Sequence, residues 1–236
     1  MNVSGGATFG KWAPASSYII NVICPLLRKM GYNTLLEVKK HGFYPKGGAS
    51  AIFTFKSPKE LQGLHLDERG EVTIIEGESI ASYHLKKPSV ASRQKKACGR
   101  RLSNNLGVNN IDIRDLYVDA LNPGSGITCW AKTTTGCIIS SGTVIGERGK
   151  PSEKVGGECA SSLLKILTKS PAATVDEFTS DQLIPFLMLS DHESSIIAPE
   201  LTSHAHTNLD LISKFNKRAY SIIKHENHVS LKFPKN

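Results

Sequence analysis

No stretch of this 236-residue sequence approaches the roughly 18 apolar residues that a membrane span requires, so a transmembrane helix is not expected. The opening run "MNVSGGATFG" has neither the basic region nor the apolar core of a secretory signal. These two absences predict a soluble, cytoplasmic protein that does not engage a membrane. C-x-x-C pairs are missing as well. The five cysteines (Cys24, Cys98, Cys129, Cys137 and Cys159) are odd in number and scattered, so spacing suggests neither a disulfide framework nor a thiolate zinc site. They read as small buried apolar residues, and no metal ligand is predicted. Low-complexity linkers are absent too. Acidic side chains are in deficit, 21 against 29 Lys and Arg, for a formal charge of +8. Such an excess fits a polyanionic partner, nucleic acid among them, because phosphates reward clustered cations through counterion release.

A hydrophobic content of 39% is adequate for a packed core. From Ser16 to Met30, Ile19, Val22, Ile23, Leu26, Leu27 and Met30 recur at helical spacing, with Gly31 placed to end the helix and Pro25 placed to kink it. "NTLLEVKK" and "ASAIFTFK" alternate as strands around "HGFYPKGGAS", where Gly47 and Gly48 can take positive φ. "GEVTIIEG" continues as strand. "PSVASRQKKACGRRLSNNLG" reads as a helix with a basic face of Arg93, Lys95, Lys96, Arg100 and Arg101. That face is either solvated or a nucleic-acid contact. Strands follow in "IDIRDLYVDAL", "GITCWAKTT" and "GCIISSGTVI", then the helix "SEKVGGECASSLLKILTK". Thr174 and Glu177 have the spacing of a capping box ahead of "DEFTSDQLIPFLMLS". The chain closes with strand "SSIIAPE", helix "TSHAHTNLDLISKFN" and a hairpin of "AYSIIKH" and "HVSLKF". Mixed helices and strands with frequent hairpins predict an α+β fold, helices packed on mixed sheets.

Five motifs stand in a fixed order: "WAPASSYIINVICPLLRKMG", "GFYPKGGA", "GERGKPSEKVGGE", "SDQL" and "TSHAHTN". In this combination the chain resembles the RNA 3'-terminal phosphate cyclase family, with Ala49 where the family's loop usually has a third glycine. The resemblance implies repeated β/α units. The main domain would comprise residues 1–76 and 175–236, and a smaller α/β domain, residues 77–174, would be inserted. Family members run longer at the N-terminus, where a Gly-rich stretch and an arginine contribute to the site, so the chain is expected to lack the N-terminal unit.

The resemblance implies an ATP-dependent ligase-type enzyme of RNA processing that converts an RNA 3'-terminal phosphate to a 2',3'-cyclic phosphate through a histidine–AMP intermediate. Its partners would be RNA 3' ends and ATP, with a divalent metal, Mg or Mn, neutralising the triphosphate. The family pattern selects His204 over His206 as the nucleophile. An imidazole suits that task because it is neutral near pH 7 and yields a labile phosphoramidate. Phe178, Thr179, Ser180, Asp181 and Gln182 correspond to the nucleotide-contacting segment, Phe178 holding the place of an aromatic that packs on adenine. Without the motif, His204 reads as a surface or capping residue, and residues 178–182 as part of an amphipathic helix. Lys46 and the amides near Gly47 and Gly48 could cradle phosphate. Equally, the loop could serve only the hairpin, with Tyr44 and Pro45 packed on a neighbouring layer. The alternative functions are a non-catalytic cyclase-like RNA-binding protein, against which His204 argues, and an inactive remnant.

Overall fold

A computed structural model describes residues 1–108 and 110–235; Asn109 and Asn236, which fall in the two expected domains, lie outside the described residues. The fold is α+β. No helix among the described residues is long and apolar enough to cross a membrane.

Strand β1 (Asn2–Ser4) precedes the short helix α1 (Ser16–Tyr18), a π turn over Ile19–Ile23 and α2 (Cys24–Lys29). Pro25 lies in the first turn of α2, where its missing N–H is tolerated, and the helical path widens just ahead of it. Gly31 follows at φ 80°. Strands β2 (Asn33–Lys40) and β3 (Ser50–Lys56) pair antiparallel as the expected hairpin, and β1 adds to β3, giving the order β1-β3-β2.

The connecting loop is fixed by its glycines. Gly47, at φ 67°, has no room for a Cβ, which would lie 2.3 Å from the Gly6 carbonyl oxygen. The loop also corrects one expectation. Tyr44 is 55% exposed and Pro45 is exposed; Phe43 is the aromatic that packs inward. Its ring lies 5.5 Å from that of Phe9, against Gly124, where a side chain would collide with it.

Next, β4 (Val72–Ser82), α3 (Val90–Leu106) and β5 (Ile111–Val118) form a β-α-β unit whose strands pair in parallel. Strands β6 (Ser125–Thr133) and β7 (Ile138–Ile145) extend the sheet antiparallel to the order β5-β4-β6-β7. Helix α4 (Ser152–Lys169) packs on α3 and this sheet. The contact is close because position 156 is glycine: a Cβ there would lie 2.1 Å from the Gln94 carbonyl oxygen. The residues between them, from Ile75 to Ala173, form one apolar core.

Helix α5 (Glu177–Leu189), β8 (Ser194–Ala198), α6 (Ser203–Ser213), β9 (Ser221–Lys224) and β10 (Val229–Phe233) complete the chain, with sheet order β8-β10-β9. Leu183, Ile184 and Leu187 of α5 join a second core with Tyr18, Val22, Leu26, Ile196 and Phe233. Trp130 of β6, Ile138 of β7 and Cys137 of the turn between them also enter this second core, so the two share a boundary. The expected capping box is not formed. Asp176 caps α5 by accepting from the Thr179 N–H at 2.9 Å, while the Thr174 hydroxyl turns to the backbone of Ile197 on β8.

Candidate functional site

Asp176 is the junction of the region. It is fully buried and accepts from the Tyr18 hydroxyl at 2.7 Å, the Thr179 hydroxyl at 2.7 Å, the Ser140 amide at 2.9 Å and the Thr179 amide at 2.9 Å. Burial pushes its carboxyl up from the ordinary range, and the hydrogen bonds oppose that rise by stabilising the charge. Through it, the Trp-Ala-Pro segment, β7 and the start of α5 are held in one register.

Residues 178, 181, 182 and 185 fall along one strip of α5, as three- and four-residue spacing dictates. Phe178 is 47% exposed, its ring seated over Gly142, where a Cβ would come within 3.0 Å. Gln182 is exposed. Asp181 is only 5% exposed. Thr179 and Ser180 are buried, and their hydroxyls are engaged internally: Thr179 with Asp176 and Tyr18, Ser180 with the Glu177 carbonyl. The five residues expected at a nucleotide therefore separate into an outward group (Phe178, Gln182), a buried acid (Asp181) and two structural hydroxyls.

Helix α6 starts beside this strip. Its cap, Thr202, accepts from the Ala205 N–H at 3.1 Å and donates its own hydroxyl to Asp181 Oδ1 at 2.5 Å. Asn208 Nδ2 donates to the Asp181 carbonyl at 3.0 Å. His204 is the second residue of α6 and is exposed. Burial raises the Asp181 carboxyl from its ordinary range, while the Thr202 hydrogen bond and the field of His204 draw it back down. His206 is exposed as well. Thr202 went unnoticed in the sequence, although a Thr two residues ahead of a candidate histidine has the form of a helix cap.

The other motif segments gather around the N-terminal loop. Lys11, next to Trp12, pairs with Glu147 of the Gly-Glu-Arg-Gly turn at 2.8 Å. Trp12 is 93% exposed, with φ at 62°. Thr8 and Phe9 bond to the Gly42 carbonyl, and Tyr44 N–H to the Phe9 carbonyl. Lys46 is exposed on this loop. On the basic helix, Arg93 is held by Glu153 through two bonds of 2.7 and 2.8 Å and Lys95 by Asp115 at 3.0 Å, whereas Lys96, Arg100 and Arg101 are exposed. A cleft of about 380 Å³ lies between α4, the start of α5 and the β9–β10 hairpin; it includes Glu177, but neither His204 nor residues 178–182 line it.

Among the described residues, the one cluster of three or more potential metal ligands is Cys98, Cys129 and Cys159. Asp181, the carboxylate that feels the field of His204, is already engaged by Thr202. One engaged carboxylate does not by itself make a resident magnesium or manganese site, since such ions prefer several oxygen ligands.

Comparison with known proteins agrees with the family that the motifs resemble. Similar proteins include the RNA 3'-terminal phosphate cyclase of Pyrobaculum aerophilum, 34% identical over 95% of this chain and 62% of the relative. Those of Methanopyrus kandleri (37% identical, 91% of this chain, 60% of the relative) and Pyrococcus furiosus (36%, 92% and 60%) carry the same name. The chain spans about 60% of the length of these curated relatives. Residues 1–222 match the family described as RNA 3'-terminal phosphate cyclase, and with the relatives' coverage of nearly the whole chain this match establishes that the protein belongs to that family.

Proposed function

We propose that this chain takes part in the ATP-dependent cyclisation of RNA 3'-terminal phosphates, with His204 as the nucleophile that carries AMP. An imidazole nitrogen of His204 forms a bond to the α-phosphorus of ATP while the α–β anhydride bond breaks and pyrophosphate leaves with the electron pair. AMP passes to the terminal 3'-phosphate of an RNA. The adjacent 2'-hydroxyl then gives up its proton, attacks that phosphorus and expels AMP, closing the 2',3'-cyclic diester. Proximity favours the last step, because nucleophile and phosphorus sit on neighbouring carbons of one ribose.

The observation that carries this reading is the placement of His204, exposed in the first turn of α6 and tied to α5 through Thr202 and Asp181. Backbone amides at a helix start favour a phosphate there. In this reading Phe178 stacks on the adenine, Asp181 and Gln182 contact the nucleotide, and Thr179 and Ser180 position the segment. Magnesium or manganese arrives on the triphosphate as part of the substrate. The same reading sets residues 1–76 and 175–236 apart from an inserted 77–174. It also places the protein in the cytoplasm.

Incubation with ATP labelled at the α-phosphate tests the assignment. The label should be retained in alkali and released by acid, as a phosphoramidate requires. His204→Ala should abolish it and His206→Ala should keep it; equal labelling of the two variants removes His204 from this role.

A further inference from the structure

Cys98 of α3, Cys129 of β6 and Cys159 of α4 stand far apart in sequence, yet their sulfurs all lie within 4.8 Å of one another. Cys98 and Cys129 are 3.4 Å apart, sulfur to sulfur. All three residues are wholly buried, among Ile75, Ile113, Ile127 and Leu163. Two glycines permit the convergence. A Cβ at Gly77 would lie 2.6 Å from the Cys129 sulfur, so glycine leaves space for that side chain. Gly156 lets α4 approach α3 next to Cys98, and Cys159 follows one turn later on the same helix face. The Ser141 hydroxyl, on β7, is 3.2 Å from the Cys159 sulfur.

Burial alone does not explain this grouping, since a core of this kind is filled as well by Ala or Val. We propose that Cys98, Cys129 and Cys159 bind one thiophilic metal ion of the zinc class, with the Ser141 hydroxyl as a neighbouring oxygen donor, so that the ion fastens α3, α4, β6 and β7 together. Thiolate–zinc bonds of about 2.3 Å place tetrahedral sulfurs roughly 3.8 Å apart, which the observed spacing reaches with small adjustments. A set of three sulfurs selects soft or borderline ions over magnesium or calcium. On binding, each S–H bond is replaced by a sulfur–metal bond and its proton goes to solvent; a divalent ion with three thiolates keeps one net negative charge. Because the sulfurs are sealed from water, the ion enters as the chain folds.

Refolding the reduced protein with Cd(II) as the probe, followed by gel filtration and metal analysis, tests the site. One cadmium per chain and an ultraviolet sulfur-to-cadmium charge-transfer band are expected. Zn(II) should displace the band, and Cys98→Ala and Cys159→Ser should each weaken binding by about a hundredfold, at or above the loss typical of altered outer-shell partners. Cys24→Ala and Cys137→Ala, which remove two other buried thiols, should leave it intact. The wild-type measurement stands whether or not a variant folds. Absence of the band in the wild type, or an undiminished band in folded Cys98→Ala and Cys159→Ser, would overturn the proposal.

Discussion

The Thr202 hydroxyl donates to Asp181 at 2.5 Å while it accepts from the Ala205 amide at 3.1 Å, so one side chain both starts α6 and fastens it to α5. Removing that hydroxyl without changing shape should therefore loosen the helix that bears His204. Thr202→Val is expected to lower folding stability by about 1–2 kcal/mol, the range for a lost helix cap. AMP labelling of His204 should fall at least about tenfold, whereas Thr207→Val, further along α6, should not reduce it. Urea denaturation and the ATP-labelling assay measure the two effects separately.

Asp181 sets a pH dependence with a definite sign. Its folded-state carboxyl titrates above the unfolded one because burial outweighs the help of Thr202 and His204. Between those two values the folded state binds more protons, so stability falls as pH rises through that window. Asp181→Asn removes the titration. The wild type should lose stability relative to this variant as pH is raised from below the unfolded carboxyl value to neutrality; a difference independent of pH would show that the carboxyl is not raised.

Phe178 and Gln182 face outward along α5, so their substitution should affect ligand more than fold. Phe178→Ala is expected to raise the ATP concentration needed for half-maximal labelling by about tenfold, since aromatic stacking contributes about 0.5–1.5 kcal/mol beyond buried area. Phe178→Tyr should leave it near the wild-type value. Gln182→Ala should also raise it, with thermal stability within about 0.5 kcal/mol of wild type, as for most surface changes. An unchanged ATP dependence in Phe178→Ala and Gln182→Ala would assign this strip to structure alone.

Gly47 should tolerate no side chain. With φ at 67° and the Gly6 carbonyl in the way, Gly47→Ala combines left-handed strain with a backbone collision. A loss of about 1–3 kcal/mol is expected from such strain. Gly157→Ala, with open space around the added carbon, serves as the comparison and should be neutral or stabilising.

The fold was legible wherever periodicity and burial agree, as in the β2–β3 hairpin, α3 and α4. It was less so where a residue's partner lies far along the chain. Thr174 and Glu177 have capping-box spacing, but Thr174 finds a better partner in the Ile197 backbone, and Asp176 takes the cap. Tyr44 and Phe43 are equally aromatic on paper; only the position of Phe9 and Gly124 decides which turns inward. The motif order pointed to His204 and residues 178–182, yet it could not separate the outward Phe178 from the buried Thr179, because that depends on Asp176 and Tyr18. The thiol trio was invisible because each sulfur comes from a different element, and spacing rules search only along the chain.

The bond from Tyr18 to Asp176 closes a loop of 158 residues. Closing so long a loop is slow and entropically opposed until other contacts have shortened the path between its ends. During synthesis Tyr18 leaves the ribosome long before its partner exists, and the α3–α4 layer, made of contacts within that loop, is free to form in the interval. The seat of α5 can therefore close only after the chain has been made through Thr179, and a slow or stalled passage through the middle of the chain would delay this region while the central layer is free to form.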